Sequence, residues 1–224
     1  MRPRQAAFTL VEMITVVAII LVLAGLIVGI SSYALKKGAL SRATGELQAL
    51  ASACENYKSD YGSYPEDGSG SSSQLSDTVT LCPLIDGDPN SEKYHKACLV
   101  LYKALSGDAG PGADPSDIHD HDAKPDGKPE TKSYFEFRSS QLQKTPSGDV
   151  RYIKDPFGLP YGYSTNAAAA ERAYRKKVTV NPLQSRRKSG GYNINYDLWS
   201  TAGTISSKSG DALSEERARW VRNW

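Results

Sequence analysis

The chain has 224 residues, enough for one globular domain and an anchoring element; its mean hydropathy of −0.46 hides a concentration of apolar residues near the N-terminus. Its formal charge is +2; Arg2 and Arg4 account for it, since the other 25 of the 27 basic residues balance 25 acidic ones, which gives no bulk attraction to nucleic acid or an anionic surface. Cys54, Cys82 and Cys98 form no C-x-x-C pair, and no Ser/His/acid set or nucleotide loop stands out, so zinc-ribbon, redox and enzymatic readings all lack a carrier.

Residues 1–7, Met1-Arg2-Pro3-Arg4-Gln5-Ala6-Ala7, read as a short basic leader. From Phe8 to Ile30 the only ionisable side chain is Glu12, and fifteen of the twenty-three residues are Phe, Leu, Ile or Val. As a helix this stretch reaches about 35 Å, enough for a hydrocarbon core of about 30 Å, so residues 8–30 are expected to span a membrane once. The basic leader keeps the N-terminus cytoplasmic and sends the remainder outward. A secretory signal would be cut after its apolar run, where Ser31-Ser32-Tyr33-Ala34 is a poor site; an unprocessed signal anchor is the plainer alternative.

Ala7-Phe8-Thr9-Leu10-Val11-Glu12 with the apolar helix behind it resembles the prepilin signature of type IV pilins and type II secretion pseudopilins. The resemblance implies that a membrane prepilin peptidase/methyltransferase cuts between Ala7 and Phe8 and methylates the new Phe8 amine. Ala7 stands where that family usually has Gly. It also gives Glu12 a role: a lone buried carboxylate is costly, and pairing with the Phe8 amine of a neighbouring subunit would neutralise both and fix filament register. The plainer reading makes Glu12 an acid at a helix N-terminus.

Leu40, Ala43, Leu47, Leu50, Cys54, Tyr57 and Tyr61 recur every three or four residues, which continues the helix over 31–62 as an amphipathic half. Gly62 and Pro65 end it. The rest, 63–224, is the expected head. Gly68–Ser73 has linker composition, His95–Leu105 reads as a short helix, and 107–132 is a Gly/Pro/Asp-rich loop. In that loop His119-Asp120-His121-Asp122 is no preformed metal site. Strands are expected over 133–137, 149–153, 160–164 and 192–198. The fold class is therefore α+β, a long N-terminal helix packed against a small antiparallel sheet.

Asp155-Pro156-Phe157-Gly158-Leu159-Pro160-Tyr161-Gly162-Tyr163 and Tyr196-Asp197-Leu198-Trp199-Ser200 are similar to strings of the type II major pseudopilin, as is Tyr57–Pro65. That resemblance implies calcium in the loop after Ser200. Here Thr204 and Trp220 occupy positions expected to be acidic, leaving Asp211, Glu215 and Glu216 as weak candidates among the six to eight oxygens calcium needs. Otherwise no cofactor is expected. Trp199, Trp220 and Trp224 are candidates to pack the C-terminus onto the head. In a head outside the cytoplasm, Cys82 and Cys98 are the candidate disulfide, with Cys54 a small apolar residue on the helix. Arg172, Arg175, Lys176, Lys177, Arg186, Arg187 and Lys188 form a basic block, solvated or facing the acidic loop of a neighbour; nucleic acid is not the expected partner. The expected function is a pseudopilin: an inner-membrane precursor with its head in the periplasm. Its partners would be further copies, other pseudopilins, the peptidase and an inner-membrane assembly platform. The alternative is a pilin or minor pilin for adhesion, motility or DNA uptake.

Overall fold

The computed structural model describes residues 9–66, 77–107, 132–180 and 190–224. Ala7 and Phe8, the Gly/Ser run 68–73, the His119–Asp122 string and Arg186, Arg187 and Lys188 lie outside the described residues.

Helix α1 runs continuously over Leu10–Tyr61, and the chain divides into two compact units, 1–41 and 42–224. In the first, the apolar side chains from Leu10 to Leu26 stand exposed. Among the described residues no helix is long and apolar enough to cross a membrane.

In the second unit, α1 buries Ala43, Leu47, Leu50, Ala53, Cys54 and Tyr57, the face expected from the three-and-four spacing. It stops where Gly62 takes φ +76° and donates its N–H to the Lys58 carbonyl at 2.7 Å, closing the last turn in a conformation that Gly adopts without penalty. After the short helix α2 (Asp77–Thr80), α3 covers Glu92–Ser106, three residues earlier than expected, and is closed by Gly107 at φ +71°. Its two sides serve two clusters. Cys98, Leu101 and Leu105 join the α1 face, Ile153, Tyr161, Tyr163 and Leu198, whereas Tyr94 and Ala97 join Leu81, Trp199, Leu213 and Trp220.

The sheet of the expected fold is two small antiparallel ones. Strands β1 (Leu142–Lys144) and β2 (Val150–Ile153) form a hairpin with Gln143 opposite Tyr152. Strands β3 (Gly162–Ser164), β4 (Asp197–Ser200) and β5 (Val221–Arg222) form the other, in the order β3-β4-β5. Gly162 faces Trp199, and a Cβ there would land inside the indole, so this position must be Gly.

Residues 133–137 form no strand. The N–H groups of Tyr134 and Phe135 both donate to the Leu105 carbonyl, at 2.8 and 3.0 Å, and satisfy the end of α3 instead of a ladder. Residues 192–196 also stay outside the sheet, because Tyr192 and Asn193 donate their N–H groups to the Asp197 carboxylate. The basic block, expected only as a patch, is largely helix α4 (Asn166–Val180), anchored by buried Ala167. The C-terminal segment adds the short helix α5 (Ser214–Arg217) before β5.

The Cys82–Cys98 bridge is not formed: all three cysteines are free and buried. The Cys82 thiol donates to the Gly190 carbonyl at 3.1 Å, while Cys98 Sγ lies 3.2 Å from the Ile153 N–H, which donates to it. The two sulfurs are committed to different neighbours.

Candidate functional site

The N-terminal site starts at Thr9, the residue before the first turn of α1. Glu12 Oε2 accepts from the Thr9 N–H and from Thr9 Oγ1, both at 2.8 Å, and the Glu12 N–H donates back to Thr9 Oγ1 at 3.3 Å. This is a reciprocal capping box, T-x-x-E, in which the hydroxyl and the carboxylate each satisfy a backbone donor that the first turn would leave open. Thr15 Oγ1 donates to the carbonyls of Val11 and Glu12, both at 2.9 Å, and braces the next turn. The spacing is visible in the sequence, and it joins the two readings of Glu12. The carboxylate serves the helix terminus through Oε2, and Oε1 lies outside the box.

A buried carboxylate joins the two C-terminal strings. Asp155, 4% exposed, accepts the Phe157 and Leu159 N–H groups on Oδ1, both at 2.9 Å, and the Ser200 hydroxyl on Oδ2 at 2.5 Å. Asp197 accepts from Asn193 and Tyr192 at 2.8 and 2.9 Å. Burial raises the pKa of both. The Tyr161 hydroxyl donates to Glu46 on α1 at 2.9 Å, and that of Tyr163 donates to the Pro65 carbonyl at 2.8 Å. The strings therefore hold the β3-β4-β5 sheet to residues 42–66. The three tryptophans pack as the sequence suggests: Trp199 stacks on Trp220 (5.9 Å, 6°) and meets Trp224 edge-on (5.9 Å, 69°).

The calcium expectation does not fit this donor set. After Ser200 the chain turns tightly, with Ala202 at φ +52°, Gly203 at φ +80° and the Thr204 N–H on the Thr201 carbonyl at 3.0 Å. Asp211 and Glu215 are exposed, and Glu216 is paired with Lys208 at 2.9 Å. Among the described residues no group of three or more His, Cys, Asp or Glu side chains could hold a metal ion.

On α4, Arg172 binds both Glu66 oxygens at 2.7 and 2.9 Å, and Arg175 binds Glu171 at 2.8 Å. Both arginines line a cleft of ≈ 330 Å³ with Lys58, Tyr64, Glu66 and Asn195. Lys58 in turn donates to the Tyr64 hydroxyl at 3.1 Å. The charges of this cleft are thus largely spent on one another.

No curated protein and no solved structure matches the chain. Residues 2–28 match the family model described as the prokaryotic N-terminal methylation motif. The match covers the leader, the capping box and most of the apolar run, and it implies a membrane-anchored precursor that is processed by a prepilin peptidase and polymerises in the manner of a pilus. Over residues 2–28 the chain carries the prepilin motif of type IV pilins and pseudopilins.

Proposed function

We propose that the chain is cut between Ala7 and Phe8, methylated on the Phe8 amine, and polymerised as a structural subunit of a type II secretion pseudopilus that supports protein export. The observation that carries this reading is the Thr9–Glu12 capping box inside the matched motif. It holds a carboxylate at the very start of an apolar helix, where a neighbour's amine is the partner that neutralises it at least cost. In this reading the precursor sits in the inner membrane with its head in the periplasm. Other copies, other pseudopilins and an inner-membrane platform are its partners.

The secretion type is favoured over a surface pilin by the strings 155–163 and 196–200, whose Asp155–Ser200 link joins two otherwise distant segments of the head. Intact-mass measurement of assembled subunits tests the processing step: the expected N-terminal peptide begins at N-methylated Phe8, and retention of Met1 to Ala7 would overturn it. For the assembly step, Glu12→Ala is expected to leave membrane insertion intact and abolish filaments; normal filaments would sink the register role. Neighbouring genes for a secretin and a secretion ATPase without a retraction ATPase are expected. A retraction ATPase beside this gene would favour a pilus for adhesion, motility or DNA uptake.

A further inference from the structure

The C-terminal third of the head closes around a buried positive charge. Arg217, the last residue of α5, is 7% exposed. Its Nη1 donates to the carbonyl oxygens of Pro83 at 3.2 Å and Leu84 at 2.7 Å, and its Nη2 donates to that of Gly210 at 3.3 Å. No ion pair among the described residues includes it. A buried cation is expensive unless its donors are satisfied; carbonyl dipoles meet both Nη groups here, while Nε has no partner among the described residues.

Those carbonyls come from two segments far apart in the chain. Residues 83 and 84 follow α2, whereas Gly210 lies in the loop between β4 and β5. Gly210 takes φ +61°, a conformation open to Gly at low cost. The segments also touch directly: a Cβ on Gly87 would meet the Leu213 side chain and the Lys208 carbonyl. The Arg217 carbonyl in turn accepts from Arg222 Nη1 at 3.3 Å, which ties α5 to β5. Converging backbone carbonyls are the hard oxygen donors that also suit calcium, but calcium needs carboxylates beside them: Asp211 and Glu215 are exposed, Glu216 is paired with Lys208, and Asp86 is taken by the Cys82 N–H and Lys93.

We infer that Arg217 is the resident cation of the β4–β5 loop: its guanidinium gathers the carbonyls of Pro83, Leu84 and Gly210 and closes the loop with no divalent metal. The planar fork suits this work, because it can serve three acceptors at fixed angles. Closure of the C-terminal loop is thus independent of calcium and of the filament reading above.

The test uses the full chain in detergent micelles, with thermal unfolding read by tryptophan fluorescence and hydrogen exchange read over residues 81–87 and 201–213. Adding EGTA or millimolar calcium chloride is expected to leave the Tm unchanged within about 1 °C. Arg217→Met is expected to lower the Tm by about 6 °C or more and to speed exchange in both segments at least about tenfold. Arg217→Lys keeps the charge but not the fork and is expected to fall between, which keeps the test decisive where the Met variant does not fold. A Tm several degrees lower in EGTA, or exchange unchanged by either substitution, would overturn the inference.

Discussion

Tyr94→Phe isolates one buried hydrogen-bond relay. Tyr94 on α3 and Trp199 on β4 are both fully buried and meet edge to face, 5.6 Å between centroids at 81°. The indole N–H donates to the Tyr94 hydroxyl at 3.0 Å, and that hydroxyl donates to the Asp86 carbonyl at 3.1 Å. Phe keeps the ring and its packing, so no cavity of consequence opens. What disappears is the acceptor for a buried N–H, at about 1–3 kcal/mol, and the donor to a carbonyl, at about 0.5–1.5 kcal/mol. The expected loss is about 2–3 kcal/mol. In a chain of this length that amounts to a Tm drop of about 5–10 °C. Urea unfolding of the detergent-solubilised chain, followed by the fluorescence of Trp199, Trp220 and Trp224, measures it directly. A cycle with Trp199→Phe assigns the cause, since Tyr94→Phe should cost about 1 kcal/mol less once the indole N–H is gone. A Tyr94→Phe midpoint equivalent to less than about 0.5 kcal/mol, at unchanged m, would refute the reasoning, because the N–H would then have another acceptor.

At the N-terminus, Thr9→Val removes the hydroxyl from the capping box at about 1 kcal/mol of helix stability and is expected to lower filament yield, with Thr9→Ser restoring it; undiminished filaments from the Val variant would count against the box. Ala202→Gly relieves a left-handed alanine and is expected to raise stability by about 1 kcal/mol, read as the urea midpoint. Burial pushes the Cys98 thiol up to about 12 and raises Cys54 and Cys82 as well, so iodoacetamide at mildly alkaline pH should leave the folded chain unlabelled and label all three sites in urea. A mass deficit of two hydrogens without reductant would show a disulfide instead. His95, stacked on Tyr152 (4.8 Å, 10°), has its pKa held below 6.5 by burial first and then by Arg151, against the opposing pull of Glu92 at 3.7 Å and of Asp88. Its contribution to stability is therefore present above that value and lost as pH falls through the folded one. His95→Phe keeps the stack and should flatten the Tm decline on acidification; an equally steep decline would assign it to other groups.

The long helix was legible because burial selects one face: Ala43, Leu47, Leu50, Cys54 and Tyr57 repeat at helical spacing, and Gly62 supplies a stop that needs positive φ. The strands were less so. Phe135 and Phe137 flank Glu136 as alternation in a strand would have it, but their segment serves as the cap of α3, a demand set by where α3 ends in space. Helix α4 was readable from Ala167 to Ala170, a run of strong helix formers, but its later charges drew a reading of surface potential alone. At the N-terminal site, the cleavage motif was plain while the capping box, a local T-x-x-E signal, went unread. Nothing in the spacing of Cys82 and Cys98 fixes the distance between their sulfurs, and nothing near Arg217 in sequence announces the carbonyls of Pro83 and Leu84.

Three buried, unbridged thiols have a consequence for biogenesis. A head held by side-chain packing and backbone hydrogen bonds consumes no oxidising equivalents as it folds, so it waits on no thiol oxidase and passes through no mispaired isomers. No cystine bond is among the contacts that hold this fold. In the function proposed above, thiol pairing is then no step between removal of the leader and the encounter with the next copy.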